Sequence, residues 1–201
     1  MTRLILVRHG ESSGNRDRIF AVSPHELPLT ELGYIQAQAA ARRIAELFGP
    51  SLVATSPYAR AHETARIIAG ALHVPIEVEP DLHERELGAH RGRPYDSLLE
   101  APGYDPTRPW AFKPEGGESY EEVQARVGPI LDRLAGAHAG GDIVVVSHGG
   151  VMFALWAYVM GSWDAAHAPA NCGIVLIEHG PKGYSAPRII ADESGVQHTG
   201  G

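Results

Sequence analysis

The chain has 201 residues, a net charge of −7 and a single cysteine. One cysteine excludes an internal disulfide, and the negative charge argues against nucleic acid as the main partner. The longest apolar stretch, 151–160, is too short to cross a bilayer, and because the sequence starts with a predicted strand we expect no secretory leader. We therefore expect one domain over 1–201, located in the cytoplasm, with no membrane partner.

The first predicted strand ends in a cation and an imidazole. Leu4 to Val7 are four consecutive branched apolar residues, which is typical of a strand buried on both faces of a parallel sheet. Arg8 and His9 follow directly. Because open α/β sheets bind ligands beyond the carboxyl ends of such strands, this pair predicts a site suited to phosphoryl chemistry.

A long helix and a second strand–helix unit follow. The apolar spacing predicts a helix over 31–48. Its predicted apolar face consists of Ala37, Ala40, Ile44, Leu47 and Phe48. After an apolar strand at 52–55, Ser56 and Pro57 predict a helix over 57–72 that the serine hydroxyl caps. Arg60 then lies in the first turn, where the guanidinium and the positive end of the helix favour an anion.

Acidic residues are crowded at 81–86, after a short strand predicted over 75–78. Phosphoryl transfer from an alcohol needs a carboxyl group that gives and later takes a proton. On the residues alone, Asp81, Glu84 and Glu86 are all candidates for that group.

The segment 88–117 holds five prolines and four aromatic residues, which is unusual for a plain linker. It is either an irregular surface excursion held by its aromatic residues or a lid-like insertion over the pocket that selects the substrate. Four cations are expected to be able to contact a second acidic group of the substrate: Arg91, Arg93, Arg108 and Lys113.

The last third of the chain begins with a capped helix. Ser119 and Glu122 predict a capping box for a helix over 119–134, and Pro129 should kink this helix because it removes a backbone donor. The stretch 142–147 predicts a buried strand that ends at His148. Two strand ends in one chain that both finish in His-Gly are hard to explain by packing alone.

The remaining elements complete an alternating pattern. We expect a buried helix over 151–160, a strand over 174–177 and a mobile tail over 194–201. The alternation of strands and helices predicts an α/β fold.

Four blocks carry a resemblance to a known family. They are Leu6-Val7-Arg8-His9-Gly10-Glu11-Ser12 with Asn15, Ser56-Pro57 to Arg60 with Thr64, Leu82-His83-Glu84 with Gly88 and Gly92, and Ser147-His148-Gly149-Gly150. In this order they resemble the histidine phosphatase superfamily, also called the phosphoglycerate mutase-like family. The stretch 116–119 is similar to one in its phosphatase branch. The resemblance implies a three-layer α/β/α sandwich with a mostly parallel central sheet.

The resemblance also implies roles for matching residues. His9 would be the nucleophile that becomes phosphohistidine, and nearby arginines should favour its neutral form. Glu84 would be the general acid and then the base, in preference to its acidic neighbours. The phosphoryl oxygens would be held by Arg8, Arg60 and His148. Further substrate-binding residues are expected at Asn15, Ser12, Gly149 and Arg85.

The function that this pattern favours is hydrolysis of a small phosphorylated metabolite without a metal or other cofactor. The eleven histidines are not spaced as metal ligands. His25 and His90 are the two outside the motifs that are expected near the pocket mouth. A cofactor-dependent phosphoglycerate mutase is the main alternative, although the stretch Glu84-Arg85-Glu86-Leu87-Gly88 lacks the tyrosine of the mutase motif. A binding protein that has lost catalysis is a minor alternative.

Overall fold

The computed structural model describes residues 1–192, so the predicted mobile tail lies outside the described part of the chain. Seven strands and five α-helices are found there. The strands are β1 (Thr2–Arg8), β2 (Pro50–Thr55), β3 (Ile76–Val78), β4 (Asp142–Ser147), β5 (Ile174–Gly180), β6 (Gly183–Tyr184) and β7 (Arg188–Ala191). The helices are α1 (Ser13–Asp17), α2 (Glu31–Leu47), α3 (Ala59–Leu72), α4 (Tyr120–Ala137) and α5 (Gly149–Met160).

The strands form one sheet in the order β3-β2-β4-β1-β5-β6, with β7 also paired to β5. The pairs β3–β2, β2–β4 and β4–β1 are parallel, and β5 is antiparallel to β1. In the central pair, Val7 is opposite Val146 and Arg8 is opposite Ser147. This register makes β1 and β4 end side by side at the same edge of the sheet.

Alternate side chains of the central strands enter two separate cores. Leu4 and Leu6 pack with Val145 against the apolar faces of α4 and α5. Ile5 and Val7 point the other way, into the core under α2 and α3. Helices therefore cover both faces of the sheet, and the predicted three-layer α/β/α sandwich with a mostly parallel centre is confirmed.

Several element boundaries differ from the sequence-based expectation. Helix α2 ends at Leu47, and this side chain is 39% exposed instead of lying on the apolar face. Helix α3 begins at Ala59, with Tyr58 as the N-cap residue and no side-chain cap, so Ser56 is not the cap. The small strands β6 and β7 were not predicted, because two to four partly exposed residues carry little periodic pattern.

The capping box of α4 is confirmed. The Ser119 hydroxyl accepts from the Glu122 amide, and the Glu122 carboxylate accepts from the Ser119 amide. Pro129 lies inside this helix, and the kink at that point stays a prediction.

The segment 88–117 is an excursion whose base is closed by a β-bridge between Leu87 and Gly117. It contains two short 3₁₀ turns, Gly88–His90 and Tyr95–Leu98. Its N-terminal part pairs with the loop after α1, since the Phe20 amide donates to the Arg93 carbonyl and the Tyr95 amide donates to the Arg18 carbonyl. The movement of this segment as a lid stays a prediction.

Candidate active site

The two histidines at the strand ends meet beneath the surface of the molecule. His9 is 3% exposed and His148 is fully buried, and their ring centroids are 5.2 Å apart. The parallel pairing of β1 and β4 produces this contact, because both strands place their next residue at the same sheet edge. The two His-Gly strand ends of the sequence thus form one cluster.

The hydrogen bonds of His9 define which ring nitrogen is free to react. Its Nδ1 lies 2.7 Å from the Gly10 carbonyl oxygen, which can only accept, so Nδ1 carries the proton. The Nε2 atom therefore has a lone pair, and it accepts a hydrogen bond from Nε of Arg60 at 3.2 Å. This lone pair is available to attack an electrophile.

Both histidines are held in the neutral form. Burial lowers the pKa of His9 well below its ordinary value, and the positive charges of Arg60 and Arg8 lower it further. Burial likewise lowers the pKa of His148, again with a contribution from Arg60. The sequence indicated the arginines as the cause for His9, and the structure adds burial as the larger one.

Buried nitrogens without a hydrogen-bond partner lie on three residues of this cluster, and two of these residues, Arg8 and Arg60, line the cavity. Among residues 1–192, three buried side-chain nitrogens have no hydrogen-bond partner: Nε of Arg8, Nη1 of Arg60 and Nδ1 of His148. Buried polar atoms are rarely left unpaired, so a ligand with several acceptor oxygens is indicated. Since two of the three groups are guanidiniums, the arrangement suits an anion.

His148 is oriented by Ser56, which precedes α3. The Nε2 atom of His148 lies 2.7 Å from the Ser56 hydroxyl, and this hydroxyl also accepts from the Tyr58 amide. Ser56 thus accepts from a free amide just before α3, although it is not the N-cap residue of this helix. Its second partner, His148, is 92 positions away in the chain, which no local pattern indicates.

Glu84 reaches the same cavity from the loop before the 88–117 excursion. Its carboxylate accepts a hydrogen bond from the Arg85 amide at 2.8 Å. It accepts a second hydrogen bond, at 3.2 Å, from the amide of Gly150, which lies in the first turn of α5. Gly150 permits this approach, because a Cβ there would overlap the Glu84 carboxylate and lie 3.1 Å from the Tyr120 ring. The carboxylate is thus held at the positive end of a helix.

The other acidic candidates of this loop are placed differently. Asp81 is exposed and does not line the cavity. Glu86 lines it, but its carboxylate accepts from the Tyr58 hydroxyl at 3.0 Å and forms an ion pair with Arg91. Of the three acidic residues, Glu84 is therefore the one that both lines the cavity and has no basic partner among the described residues.

Comparison with known proteins identifies the family of the chain. The chain matches the histidine phosphatase superfamily (branch 1) over residues 4–191. The chain belongs to this superfamily.

Its similarity extends to several named proteins. The chain is 35% identical to a metal-independent phosphoserine phosphatase of Arabidopsis thaliana, covering 78% of this chain and 68% of that one. It is 30% identical to a probable phosphoglycerate mutase of Yersinia pestis, covering 97% and 93%. The structure of a mycobacterial glucosyl-3-phosphoglycerate phosphatase complexed with VO3 is similar with a TM-score of 0.82 and 26% identity, covering 94% and 97%.

The match to other relatives is partial. The chain spans 41% of the length of a bifunctional protein of Mycobacterium tuberculosis, to which it is 36% identical over 153 residues. Phosphatases thus occur both among the sequence relatives and among the structural neighbours of this histidine phosphatase superfamily member.

The four residues predicted to bind substrate in this superfamily member all line the cavity, and each also has structural contacts. Ser12 is the N-cap of α1, and the Asn15 side chain completes its capping box and donates to the Tyr95 hydroxyl at 3.2 Å. A Cβ at Gly149 would lie 3.4 Å from the guanidinium of Arg8, in ordinary contact with it.

Arg85 is engaged mainly by the protein itself. Its guanidinium donates to the carbonyl oxygens of Glu118 and Phe112, each at 2.7 Å, and lies over the Tyr120 ring at 4.2 Å. Two of its donors are therefore occupied by the backbone of the 88–117 excursion and its flank. A role in substrate binding stays a prediction.

The sequence analysis overlooked the residues that support the Glu84 loop. Arg126 of α4 pairs with Glu118 at 2.9 Å and donates to the carbonyl oxygens of Asp81 and His83. The Glu118 carboxylate accepts in turn from the Glu86 amide. Glu118 belongs to the stretch 116–119 that contributes to the family resemblance, which was the one sequence signal for this support, whereas Arg126 lies in no motif.

The four cations of the excursion are not gathered at the cavity. Of these four, Arg91 alone lines the cavity, and its charge is paired with Glu86. Lys113 pairs with Glu122 at 2.5 Å, away from the cavity. Glu86 and Glu122 lie outside the excursion, so the excursion's own sequence does not show that Arg91 and Lys113 are paired.

The two histidines expected near the pocket mouth do not line the cavity either. His90 is buried and lies 3.0 Å from the hydroxyl of Ser97, and His25 is exposed. Throughout residues 1–192, no group of three or more His, Cys, Asp or Glu side chains is arranged to hold a metal ion. No helix in that range has the length and apolar character needed to span a membrane.

Proposed function

We propose that this chain is a metal-independent phosphomonoester hydrolase that acts on a small phosphorylated metabolite through a phosphohistidine formed at His9. The observation that carries the proposal is that the unprotonated Nε2 atom of His9 lines one cavity together with Arg8 and Arg60, each of which has a buried nitrogen without a protein partner. Guanidinium groups supply the positive charge that phosphoryl transfer requires, so a metal is not needed for charge neutralisation.

In the first step, the His9 Nε2 lone pair attacks the phosphorus atom and the bond from phosphorus to the ester oxygen breaks. Arg8, Arg60 and His148 donate to the three equatorial oxygens, where negative charge is spread in the transition state. Glu84 gives its proton to the departing oxygen, so the alcohol leaves in neutral form. The products of this step are the alcohol and phosphohistidine.

In the second step, water attacks the phosphorus atom of phosphohistidine. The Glu84 carboxylate takes a proton from this water, and the bond from phosphorus to Nε2 breaks. The electron pair of that bond returns to Nε2, which restores His9, and inorganic phosphate leaves. Burial and the neighbouring arginines support this cycle because they keep the ring neutral and nucleophilic between turnovers.

Hydrolysis is favoured over mutase activity by the charges at the cavity mouth. A mutase must hold a second acidic group of its substrate and of a bisphosphorylated intermediate. Here Arg91 is neutralised by Glu86, and Arg85 is bound to two carbonyl oxygens. The occurrence of phosphatases among the relatives supports the same choice.

The test is phosphate release from 4-nitrophenyl phosphate in the presence of a chelator. We expect turnover by the wild type and a loss of at least about 10³-fold in His9→Ala, because the nucleophile is removed. His25→Ala is the matched control, since His25 is exposed and lies outside the cavity lining. Acid-labile labelling by a ³²P-phosphorylated substrate should occur in the wild type and be absent from His9→Ala.

Three results would contradict the proposal. Activity that disappears with chelator and returns with a divalent ion would indicate a metal-dependent reaction. Interconversion of 3- and 2-phosphoglycerate that depends on 2,3-bisphosphoglycerate, with little phosphate release, would indicate a mutase. Retention of ligand binding without turnover of any ester would indicate the binding-protein alternative.

A further inference from the structure

The cavity continues beyond the phosphate-binding nitrogens into a wider space with apolar walls. Its total volume is about 750 Å³, far more than a phosphate group occupies. We name this wider part the outer chamber. Its apolar lining comes from the loop after α1, the 88–117 excursion and α5, and includes Phe20, Val22, Leu98, Leu99 and Phe153.

Side chains of the outer chamber are unusually exposed for their type. Val22 is 57% exposed, Leu99 is 61% exposed and Ile19, which also lines the cavity, is 38% exposed. Single exposed apolar residues are ordinary on a protein surface, whereas a group that lines one cavity indicates a ligand-binding surface. These side chains remain open to solvent in the absence of a ligand.

The charges around the outer chamber cancel in pairs. Arg18 pairs with Asp96 at 2.9 Å, and Arg91 pairs with Glu86. Arg85 is covered by two carbonyl oxygens and an aromatic ring. Beyond the phosphate-binding groups, the described lining therefore has no cation without a protein partner to receive a carboxylate or a second phosphate.

The walls of the outer chamber are held in place by the protein. The Phe20 ring lies 4.5 Å from the Tyr95 ring, and backbone hydrogen bonds join the 18–20 and 92–95 segments in both directions. A preformed apolar space costs little ordering when a ligand enters. The favourable free energy of burying an apolar group in the outer chamber is therefore available for substrate binding.

We propose that the outer chamber binds the alcohol part of the phosphate ester, and that this part is uncharged and apolar, an alkyl or aromatic group rather than a carboxylate-bearing one. This proposal rests on the proposed function, because it takes the phosphate group to lie at His9. It places phosphoserine and 3-phosphoglycerate among the poor substrates. The class favoured is that of phosphate monoesters of apolar alcohols.

The first experiment measures hydrolysis of unbranched alkyl phosphates from methyl to hexyl, compared with phosphoserine and 3-phosphoglycerate. The longer alkyl esters share nearly the same leaving-group chemistry, so differences in kcat/KM among them report binding of the chain. Full burial of a methylene corresponds to roughly fourfold in affinity, and half-burial in an open chamber to about twofold. We expect hexyl phosphate to exceed methyl phosphate by about 30-fold in kcat/KM.

The second experiment measures binding of non-hydrolysable alkylphosphonates by calorimetry, which needs no turnover. Hexylphosphonate should bind more tightly than methylphosphonate by a similar factor, and 3-phosphonopropionate should bind more weakly than butylphosphonate. The variant Val22→Ala/Leu99→Ala should remove most of the chain-length dependence in both experiments. Ile35→Ala is the control, because Ile35 is 60% exposed on α2 and lies outside the cavity lining.

The outcomes separate the two proposals. Hydrolysis with no dependence on chain length, or with phosphoserine or 3-phosphoglycerate faster than hexyl phosphate, overturns the apolar chamber and leaves the hydrolase intact. Chain-length dependence in phosphonate binding without hydrolysis of any ester supports the chamber and overturns the proposed function. An equal effect of Val22→Ala/Leu99→Ala and Ile35→Ala overturns the assignment of the chamber to these side chains.

Discussion

The contact between Gly150 and Glu84 gives a sharp test of the proposed acid–base group. In Gly150→Ala, the new methyl group would overlap the Glu84 carboxylate, with the carboxyl carbon at 3.3 Å and Tyr120 at 3.1 Å. Gly150 belongs to the first turn of α5, where alanine is a good helix former. The substitution therefore acts mainly on the position of Glu84 and leaves the helix intact.

The size of the effect follows from the displacement. To restore an ordinary carbon–oxygen contact, the carboxylate must move by about 1 Å and give up the hydrogen bond from the Gly150 amide. A shift of this size in a reacting group costs about 10²-fold in rate. The loss should fall mainly on esters with poor leaving groups, because these need the proton most.

The assay compares kcat/KM for hexyl phosphate with that for 4-nitrophenyl phosphate, since kcat/KM reports the first phosphoryl transfer. We expect a loss of about 10²-fold for the alkyl ester and less than about 10-fold for the nitrophenyl ester. Gly136→Ala is the matched control, because a Cβ at this exposed position of α4 meets nothing within 4 Å. Equal losses on the two esters, or wild-type rates on both, would refute the assignment of Glu84 as the acid.

Two further predictions concern the buried histidines. Because burial lowers the pKa values of His9 and His148, the unfolded chain binds more protons than the folded one below about pH 6.5, and the free energy of unfolding should fall as the pH falls. Each histidine contributes up to about 1.4 kcal/mol per pH unit to the slope of the unfolding free energy against pH. His9→Gln should therefore reduce this slope between pH 6 and pH 5 by about that amount, as measured by urea unfolding. An unchanged slope would contradict the buried neutral ring. Ser56→Ala removes the partner of the His148 Nε2 atom, so it should cost about 1–3 kcal/mol of unfolding free energy and weaken inhibition by inorganic phosphate. Unchanged inhibition would show that Ser56 does not orient His148 for the anion.

The sequence by itself determined the strand ends and the residues that stand there. The apolar runs before His9 and His148 are local patterns, and each is sufficient to predict a buried strand followed by a polar residue. The capping box of α4 is local in the same way, since Ser119 and Glu122 are three residues apart. Predictions of this kind succeed because neighbouring residues along the chain decide them.

Only the tertiary structure decided what these residues contact. Ser56 stands before Pro57 in a pattern typical of a helix start, yet its hydroxyl also bonds to His148 because β2 and β4 are parallel neighbours in the sheet. In the sequence, nothing near Arg85 or Arg91 identifies a partner for its charge. In the structure, Arg85 donates to the Glu118 carbonyl oxygen and Arg91 forms an ion pair with Glu86. Strand order and register bring together atoms that lie tens of residues apart, and no pattern within a short window of sequence contains that information. The residues that we propose to bind phosphate could therefore be named from the sequence, whereas the charge balance and apolar walls of the outer chamber arise only on folding.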